Sequence, residues 1–143
     1  MKLFSHDTKV DALRQAPLFG ELTDKELGEV SMRSEDMDFP AGKVLCREGE
    51  LGSEFYVIMD GEAEVSRQGK ALATHGSGSF FGEISLVEDV PRNATVTART
   101  PLRCFVVTRG RFLHLLDEYP DVERKVMRAL AKRLVAASDD PSL

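Results

Sequence analysis

The sequence lacks several features that would place it in a particular class of protein. Its longest unbroken apolar run is five residues, Phe55 to Met59, which is far too short for a membrane-spanning helix. It contains two cysteines, Cys46 and Cys104, too few for a disulfide scaffold. The first segment meets charged residues early and has no long apolar stretch, unlike a secretory signal. We therefore expect a cytoplasmic protein with reduced thiols and no membrane span.

The sequence also has no excess of positive charge. The chain carries 19 Lys and Arg residues against 24 Asp and Glu residues, a net charge of −5, which argues against a large nucleic-acid surface. Its 143 residues match about one domain, and 42% hydrophobic with 30% charged residues exclude wholesale disorder. The sequence thus predicts a single domain over 1–143, with no nucleic acid as partner.

The first part of the chain, 1–38, is predicted to be a helical lead. Val10, Leu13 and Ala16 recur on one helical face, and Pro17 ends that segment. Thr23 followed by Glu26 has the spacing of a capping box at the start of a second short helix.

The middle of the chain, 39–108, is predicted to be a β-roll. Turn signals rich in glycine separate short apolar or alternating segments at intervals of roughly 8–12 residues. The segment Phe55 to Met59 is continuous and predicts a fully buried strand, whereas the segments 94–98 and 102–106 alternate apolar and polar residues. Many short, regularly spaced strands are typical of a β-barrel or jelly roll.

The last part of the chain returns to helical spacing over 109–137, followed by a polar tail, 138–143. Two apolar stripes predict two helices separated at Pro120. The basic residues of this part are predicted to lie on a solvated face, and no second recognition helix for DNA is expected. The basic residues are Arg124, Lys125, Arg128, Lys132 and Arg133.

No constellation for catalysis or metal binding is visible in the sequence. His6, His75 and His114 lie in three different segments without paired spacing, so no metal site is expected. Cys46 has no histidine near it that would activate the thiol as a nucleophile. We therefore predict no catalytic residue, no metal and no enzyme activity.

The segment Phe80 to Ala98 is the one candidate site. Gly82 predicts a turn opening a short helix, whose first amides would attract an anion. Arg92 stands where the chain re-enters the β-roll, and small Ala94 would let a ligand approach the backbone closely. Glu83 would suit a sugar hydroxyl as acceptor. An alternative interpretation is that Glu83 and Arg92 only form a salt bridge between helix and strand.

These residues resemble the phosphate-binding cassette of the cyclic nucleotide-binding domain family. The resemblance covers roughly residues 10–137, and its spacer length is similar to that of kinase-regulatory and channel members. It implies an α+β fold, with an eight-stranded antiparallel β-roll or jelly roll flanked by N-terminal helices and two C-terminal helices. The matching segments are Phe81-Gly82-Glu83-Ile84-Ser85-Leu86, Pro91-Arg92-Asn93-Ala94-Thr95-Val96-Thr97-Ala98, and the glycine turns at Gly49, Gly52 and Gly61.

The resemblance also implies roles for individual residues. Arg92 would bind the phosphate of a 3′,5′-cyclic nucleotide, Glu83 would accept from the ribose 2′-hydroxyl, and amides near Gly82, Glu83 and Ala94 would complete the phosphate cradle. An apolar residue of the last helix usually covers the base, for which Leu130 and Leu134 are candidates, although both could equally belong to the core. The predicted ligand-binding residues are Phe81, Gly82, Glu83, Ile84, Ser85, Arg92, Asn93 and Ala94.

Asn93, directly after the arginine, could contact either purine, and we expect cAMP to be favoured over cGMP. The function implied is a stand-alone, bacterial-type sensor that acts in trans on a protein effector of unknown identity. The last helix could also pair with a second copy of the chain. The alternative function is a scaffold or interaction protein that retains the fold without binding nucleotide. No cofactor other than the nucleotide ligand is expected.

Overall fold

The structure is a computed structural model that describes residues 5–137, so the predicted tail, 138–143, lies outside the described residues. Within this range, four helices, eight strands and two short 3₁₀ turns follow one another. They are α1 (His6–Arg14), a 3₁₀ turn (Pro17–Phe19), α2 (Asp24–Met32), β1 (Glu35–Phe39), β2 (Val44–Cys46), β3 (Glu54–Asp60), β4 (Ala63–Arg67), β5 (Lys70–His75), β6 (Phe80–Phe81), a 3₁₀ turn (Glu83–Leu86), β7 (Thr95–Ala98), β8 (Leu102–Thr108), α3 (Arg109–Glu118) and α4 (Pro120–Ala137).

The eight strands form two antiparallel four-stranded sheets. Their strand orders are β1-β8-β3-β6 and β2-β7-β4-β5. The inner faces of the two sheets pack around one cluster of buried side chains that includes Ile58, Ala63, Cys104 and Val106. Together with the helices, this arrangement confirms the predicted antiparallel jelly roll.

The helices cover the outer face of the first sheet. Phe19, in the first 3₁₀ turn, packs edge-on against Phe55 of β3 with ring centroids 5.7 Å apart, and its ring lies 5.6 Å from that of Phe112 in α3. Because β3 is buried by the opposing sheet on one side and by helices on the other, its side chains are apolar without alternation. No helix within residues 5–137 has the length and apolar character needed to cross a lipid bilayer.

The helical lead agrees with the prediction except at its end. Glu26 and Thr23 form the expected capping box, with a distance of 3.2 Å between the Glu26 amide and Thr23 Oγ1. The lead was expected to stay helical to residue 38, but α2 ends at Met32 and β1 follows. The sequence of β1 is short and mostly acidic, and its strand conformation is stabilised by pairing with β8, for instance Met37 opposite Cys104.

Candidate functional site

A cavity of about 440 Å³ lies between the second sheet and the segment that was singled out in the sequence. This volume falls in the range typical of small-molecule sites. All eight predicted ligand-binding residues line it, so the structure brings them together. The complete lining is Cys46, Val65, His75, Phe80, Phe81, Gly82, Glu83, Ile84, Ser85, Val90, Pro91, Arg92, Asn93, Ala94 and Val96.

The Arg92 guanidinium is the cation of this cavity, and its side chain is only 8% exposed. Its Nη1 donates to Ser85 Oγ at 3.0 Å, and its Nη2 donates to the Glu54 carbonyl at 2.9 Å. The Glu54 carboxylate is farther away, with 3.5 Å between Oε2 and Nη2. The guanidinium is therefore oriented mainly by neutral oxygens, and its charge keeps most of its capacity to bind an anion.

Two glycines make room for this arginine. A Cβ atom at either Gly52 or Gly82 would overlap the Arg92 guanidinium. Gly82 also has a φ of 83°, in the left-handed region that disfavours other residues. The expected helix after Gly82 is only a single 3₁₀ turn, Glu83–Leu86. Its few amides provide a weaker dipole than a full helix would, so Arg92 is the principal anion-binding group.

Glu83 is buried and already has two partners. Its Oε2 accepts from the Leu18 amide at 3.3 Å, and its Oε1 pairs with Arg133 Nη1 of α4 at 2.5 Å. Within the described part of the chain no ion pair joins Glu83 to Arg92, so the alternative of a simple helix-to-strand salt bridge is wrong. The predicted sugar acceptor is instead linked to the last helix.

The basic residues of α4 are exposed as predicted, except for half-buried Lys125, but several of them also pair with acids of other elements. Lys125 Nζ lies 2.7 Å from Glu26 Oε1 of α2, and Lys132 Nζ lies 3.3 Å from Glu21 Oε1. With Arg133 on Glu83, these pairs attach α4 to the helical lead and to the cavity wall. Each partner is distant in sequence, and no local pattern could have identified it.

Arg109, at the start of α3, also supports the cavity, and the sequence analysis did not identify it. Its Nε donates to the Ser85 carbonyl at 2.7 Å, and its Nη2 donates to the Gly52 carbonyl at 2.9 Å. It also forms an ion pair with Asp89. Arg109 therefore fixes the backbone at Ser85, whose hydroxyl orients Arg92, and at Gly52, against which Arg92 packs. A lone arginine after a strand gives no sequence signal for this role.

The two candidate leucines of α4 lie outside the cavity, whereas Cys46 lies in its wall. Leu130 packs partly buried against the helical core, whereas Leu134 is 74% exposed, and neither lines the cavity. Cys46 does line it, and burial raises the pKa of its thiol to about 11, so the thiol is protonated at neutral pH. Residues 5–137 contain no group of three or more His, Cys, Asp or Glu side chains arranged to hold a metal ion.

Comparison with known proteins agrees with this geometry. The family model of the cyclic nucleotide-binding domain matches residues 36–119. The chain belongs to the cyclic nucleotide-binding domain family. It is 34% identical over 118 residues to the cAMP-dependent protein kinase regulatory subunit of Schizosaccharomyces pombe, a match that covers 82% of this chain but 29% of that protein.

Two solved structures support the same conclusion. The N-terminal domain of a transcriptional regulator from Streptomyces coelicolor A3(2) superposes with a TM-score of 0.82 at 31% identity, covering 90% of this chain and 94% of that one. The regulatory domain of Toxoplasma gondii PKA, crystallised with cAMP, superposes with a TM-score of 0.69 at 30% identity, covering 77% of this chain and 44% of that one. These relatives are regulatory proteins or parts of them.

Proposed function

We propose that this chain binds a 3′,5′-cyclic purine nucleotide in the cavity, with cAMP favoured over cGMP, and releases it unchanged. The observation that carries the proposal is Arg92, a buried guanidinium that neutral oxygens hold at the cavity wall. A cyclic phosphate has one negative charge, which one arginine can balance. The cAMP bound to the Toxoplasma gondii domain supports the choice of ligand class.

Nucleotide binding would be reported through α4. If Glu83 accepts from the ribose 2′-hydroxyl, as the family resemblance implies, the hydroxyl competes with Arg133 for the same carboxylate. Binding would then weaken the attachment of α4 to the cavity wall, and the helix would change position. This coupling gives a ligand-binding module an output without any catalytic step.

The output would act in trans on a protein effector in the cytoplasm. The outer side of α4 carries exposed Met127, Leu134 and Val135, which supports this helix as the surface that a partner reads. A second copy of the chain would be an alternative occupant. Light scattering with and without cAMP distinguishes these cases, because only self-association changes the mass of the isolated chain.

Isothermal titration calorimetry with cAMP and cGMP tests the binding proposal. Arg92→Ala removes charge-assisted hydrogen bonds that contribute about 1.5–3 kcal/mol each, so we expect at least about a hundredfold weaker binding. Arg99→Ala is the matched control, because Arg99 is exposed and does not line the cavity. Binding of neither nucleotide by the unaltered chain at 100 micromolar, roughly a hundred times the micromolar Kd expected of such a site, would overturn the proposal.

The non-binding scaffold remains the competing function, and one observation favours it. Each carboxylate oxygen of Glu83 already has a partner, Leu18 or Arg133, in the absence of a ligand. Mass spectrometry of the denatured protein separates the two functions. A cyclic nucleotide released from the purified chain supports the binding function, and calorimetric silence with both nucleotides supports the scaffold.

A further inference from the structure

Arg67, at the end of β4, is a cation beside the cavity that the proposed function does not use. Its side chain is exposed and forms no ion pair with any other residue in the range 5–137. Its Nε donates a hydrogen bond to the Asn93 carbonyl at 2.8 Å. This bond attaches the end of β4 to the short segment between Arg92 and β7.

The register of the second sheet sets Arg67 beside the cavity wall. Ser66 of β4 is paired with Thr95 of β7. One further step of the same antiparallel register brings Arg67 opposite Ala94. Opposed residues project to the same face of a sheet, and Ala94 is buried in the cavity wall. Arg67 therefore extends from the cavity side of the sheet, at its rim, without lining the cavity itself.

The hairpin turn that follows Arg67 is fixed in place. Gln68 and Gly69 form the two-residue turn to β5, and both have a positive φ, 53° and 78°. The Glu48 carboxylate accepts from the Gln68 amide at 2.8 Å, and the Glu48 amide donates to Thr95 Oγ1 at 3.1 Å. Glu48 thus connects the turn to the first residue of β7, and the Arg67 side chain extends from a backbone of defined position.

The hydrogen bond from Arg67 acts on a peptide group of the cavity wall. The Asn93 carbonyl and the Ala94 amide belong to the same planar trans peptide, so they point in opposite directions. With its carbonyl held on the β4 side, this peptide turns its amide away from β4. Within residues 5–137 the Ala94 amide donates to no protein acceptor. A buried amide without an acceptor is a donor that an anionic ligand can use.

We propose that Arg67 is a positioning residue for the phosphate, because it holds the 93–94 peptide so that the Ala94 amide donates to the phosphate beside Arg92. This inference rests on the proposed function, and it assigns Arg67 no contact with the nucleotide. Hydrogen bonds at the two ends of one peptide group polarise each other, so the bond on the carbonyl also makes the amide a better donor. Without Arg67 the ligand would have to order this peptide, which lowers affinity.

The test uses replacements of Arg67 that separate its hydrogen bond from its charge. A glutamine amide nitrogen lies the same number of bonds from the backbone as arginine Nε, so Arg67→Gln keeps a donor for the Asn93 carbonyl and removes the charge. Arg67→Met keeps the length of the side chain and removes both. In calorimetry of the full chain, Arg67→Met should bind cAMP about fivefold more weakly, the effect of one lost hydrogen bond, and Arg67→Gln should stay within about twofold of the unaltered chain.

The Ala94 amide signal in proton–nitrogen NMR spectra gives a direct readout. It should move downfield when cAMP is added to the unaltered chain or to Arg67→Gln, and should move less in Arg67→Met. Arg99→Ala is the matched control, because Arg99 is also exposed, bonds to Thr74 Oγ1 of the same sheet at 3.2 Å and lies outside the cavity wall. Its loss removes the same charge and should leave both the affinity and the Ala94 signal unchanged.

The outcomes separate the role of Arg67 from the proposed function. Arg67→Met that binds cAMP within about twofold of the unaltered chain, or whose Ala94 signal moves as far, overturns the role of Arg67 alone. Arg67→Gln that loses as much affinity as Arg67→Met also overturns it, because the charge and not the hydrogen bond would then matter. An unaltered chain that binds neither cAMP nor cGMP overturns the proposed function, and the role of Arg67 with it.

Discussion

The two ends of the cavity are prepared for a ligand in different ways. At the end proposed for the phosphate, Arg92 is held mainly by the Ser85 hydroxyl and the Glu54 carbonyl, neutral groups that leave most of its charge available. At the end proposed for the ribose, Glu83 is paired with the opposite charge of Arg133 from α4. In the proposed function, the first end needs little rearrangement to bind its part of the nucleotide, whereas the second already holds a charged partner with which the ligand would compete.

We expect the two ends to have different roles, one in the affinity for the ligand and the other in linking binding to the position of α4. A preorganised cation contributes directly to affinity, because it loses little freedom when the anion arrives. An acid that exchanges its partner contributes less affinity but links binding to the position of α4. The Glu83–Arg133 pair is suited to such exchange, since Glu83 is 9% exposed while Arg133 is 45% exposed and regains water when it leaves.

The largest effect should come from disturbing the phosphate end. Gly52→Ala places a Cβ atom on the Arg92 guanidinium, and we expect cAMP affinity to fall at least about a hundredfold. Gly110→Ala is the matched control, because a Cβ there meets no atom within 4 Å and Gly110 lies in α3, where alanine should stabilise by about 0.5–1 kcal/mol. Calorimetry measures both affinities, and near-normal binding by Gly52→Ala would contradict the preorganised cation.

A smaller effect of opposite sign is expected at the ribose end. Arg133→Ala removes the competitor for Glu83, so cAMP should bind about tenfold more tightly. The gain should disappear with 2′-deoxy-cAMP, which has no hydroxyl to replace the guanidinium. Arg128→Ala serves as control, because Arg128 is more exposed and lies 3.6 Å from Glu21 rather than at Glu83. Weaker cAMP binding by Arg133→Ala would show that the ion pair supports the ligand instead of competing with it.

The ion pair between Lys125 of α4 and Glu26 of α2 should contribute to the stability of the fold and not to cAMP affinity. Burial raises the pKa of the Glu26 carboxyl, but hydrogen bonds from Lys125 and Thr23 and the charge of Lys125 lower it more, so the net pKa is below its usual value. Glu26→Gln keeps the capping box and removes the ion pair, and should decrease the free energy of unfolding by about 0.5–1 kcal/mol at pH 7.

The pH dependence of this decrease has a definite sign. A carboxyl whose pKa is lower in the folded state stabilises the protein above its unfolded pKa, and the contribution is lost as the pH falls through the folded value. The difference between the unaltered chain and Glu26→Gln should therefore shrink on acidification in urea unfolding. A difference that is constant with pH, or a changed cAMP affinity, would contradict a purely structural role for this pair.

The parts of the molecule that the sequence predicts are those encoded locally. The capping box of Thr23 and Glu26 depends on residues three apart, and the phosphate-end residues from Gly82 to Ala94 lie in one short segment. The strand β1 was missed because its conformation depends on β8, which follows over sixty residues later. The pairing of Glu83 with Arg133 spans fifty residues, and it follows only from the packing of α4 on the lead.

The smallest expected effect is on the affinity of variants that test which leucine of α4 covers the base. Leu134 is exposed, so Leu134→Ala should change the free energy of unfolding by less than about 0.5 kcal/mol, whereas Leu130→Ala, partly buried against the core, should lower it by about 1–2 kcal/mol. If release of Arg133 lets α4 close over the cavity, Leu134 then gains apolar contact with the purine. We expect Leu134→Ala to weaken cAMP binding about threefold, the loss of a modest apolar contact.

Calorimetry and urea unfolding on the two leucine variants measure affinity and stability separately. If Leu130→Ala weakens cAMP binding about threefold and Leu134→Ala does not, Leu130 is the residue that covers the base. The double variant Arg133→Ala with Leu134→Ala adds the mechanistic step. Because both changes act through α4, their effects on affinity should not add, whereas a helix that stays in place would leave them independent. Non-additivity would thus show that the ribose end transmits binding to α4 while the phosphate end only retains the ligand.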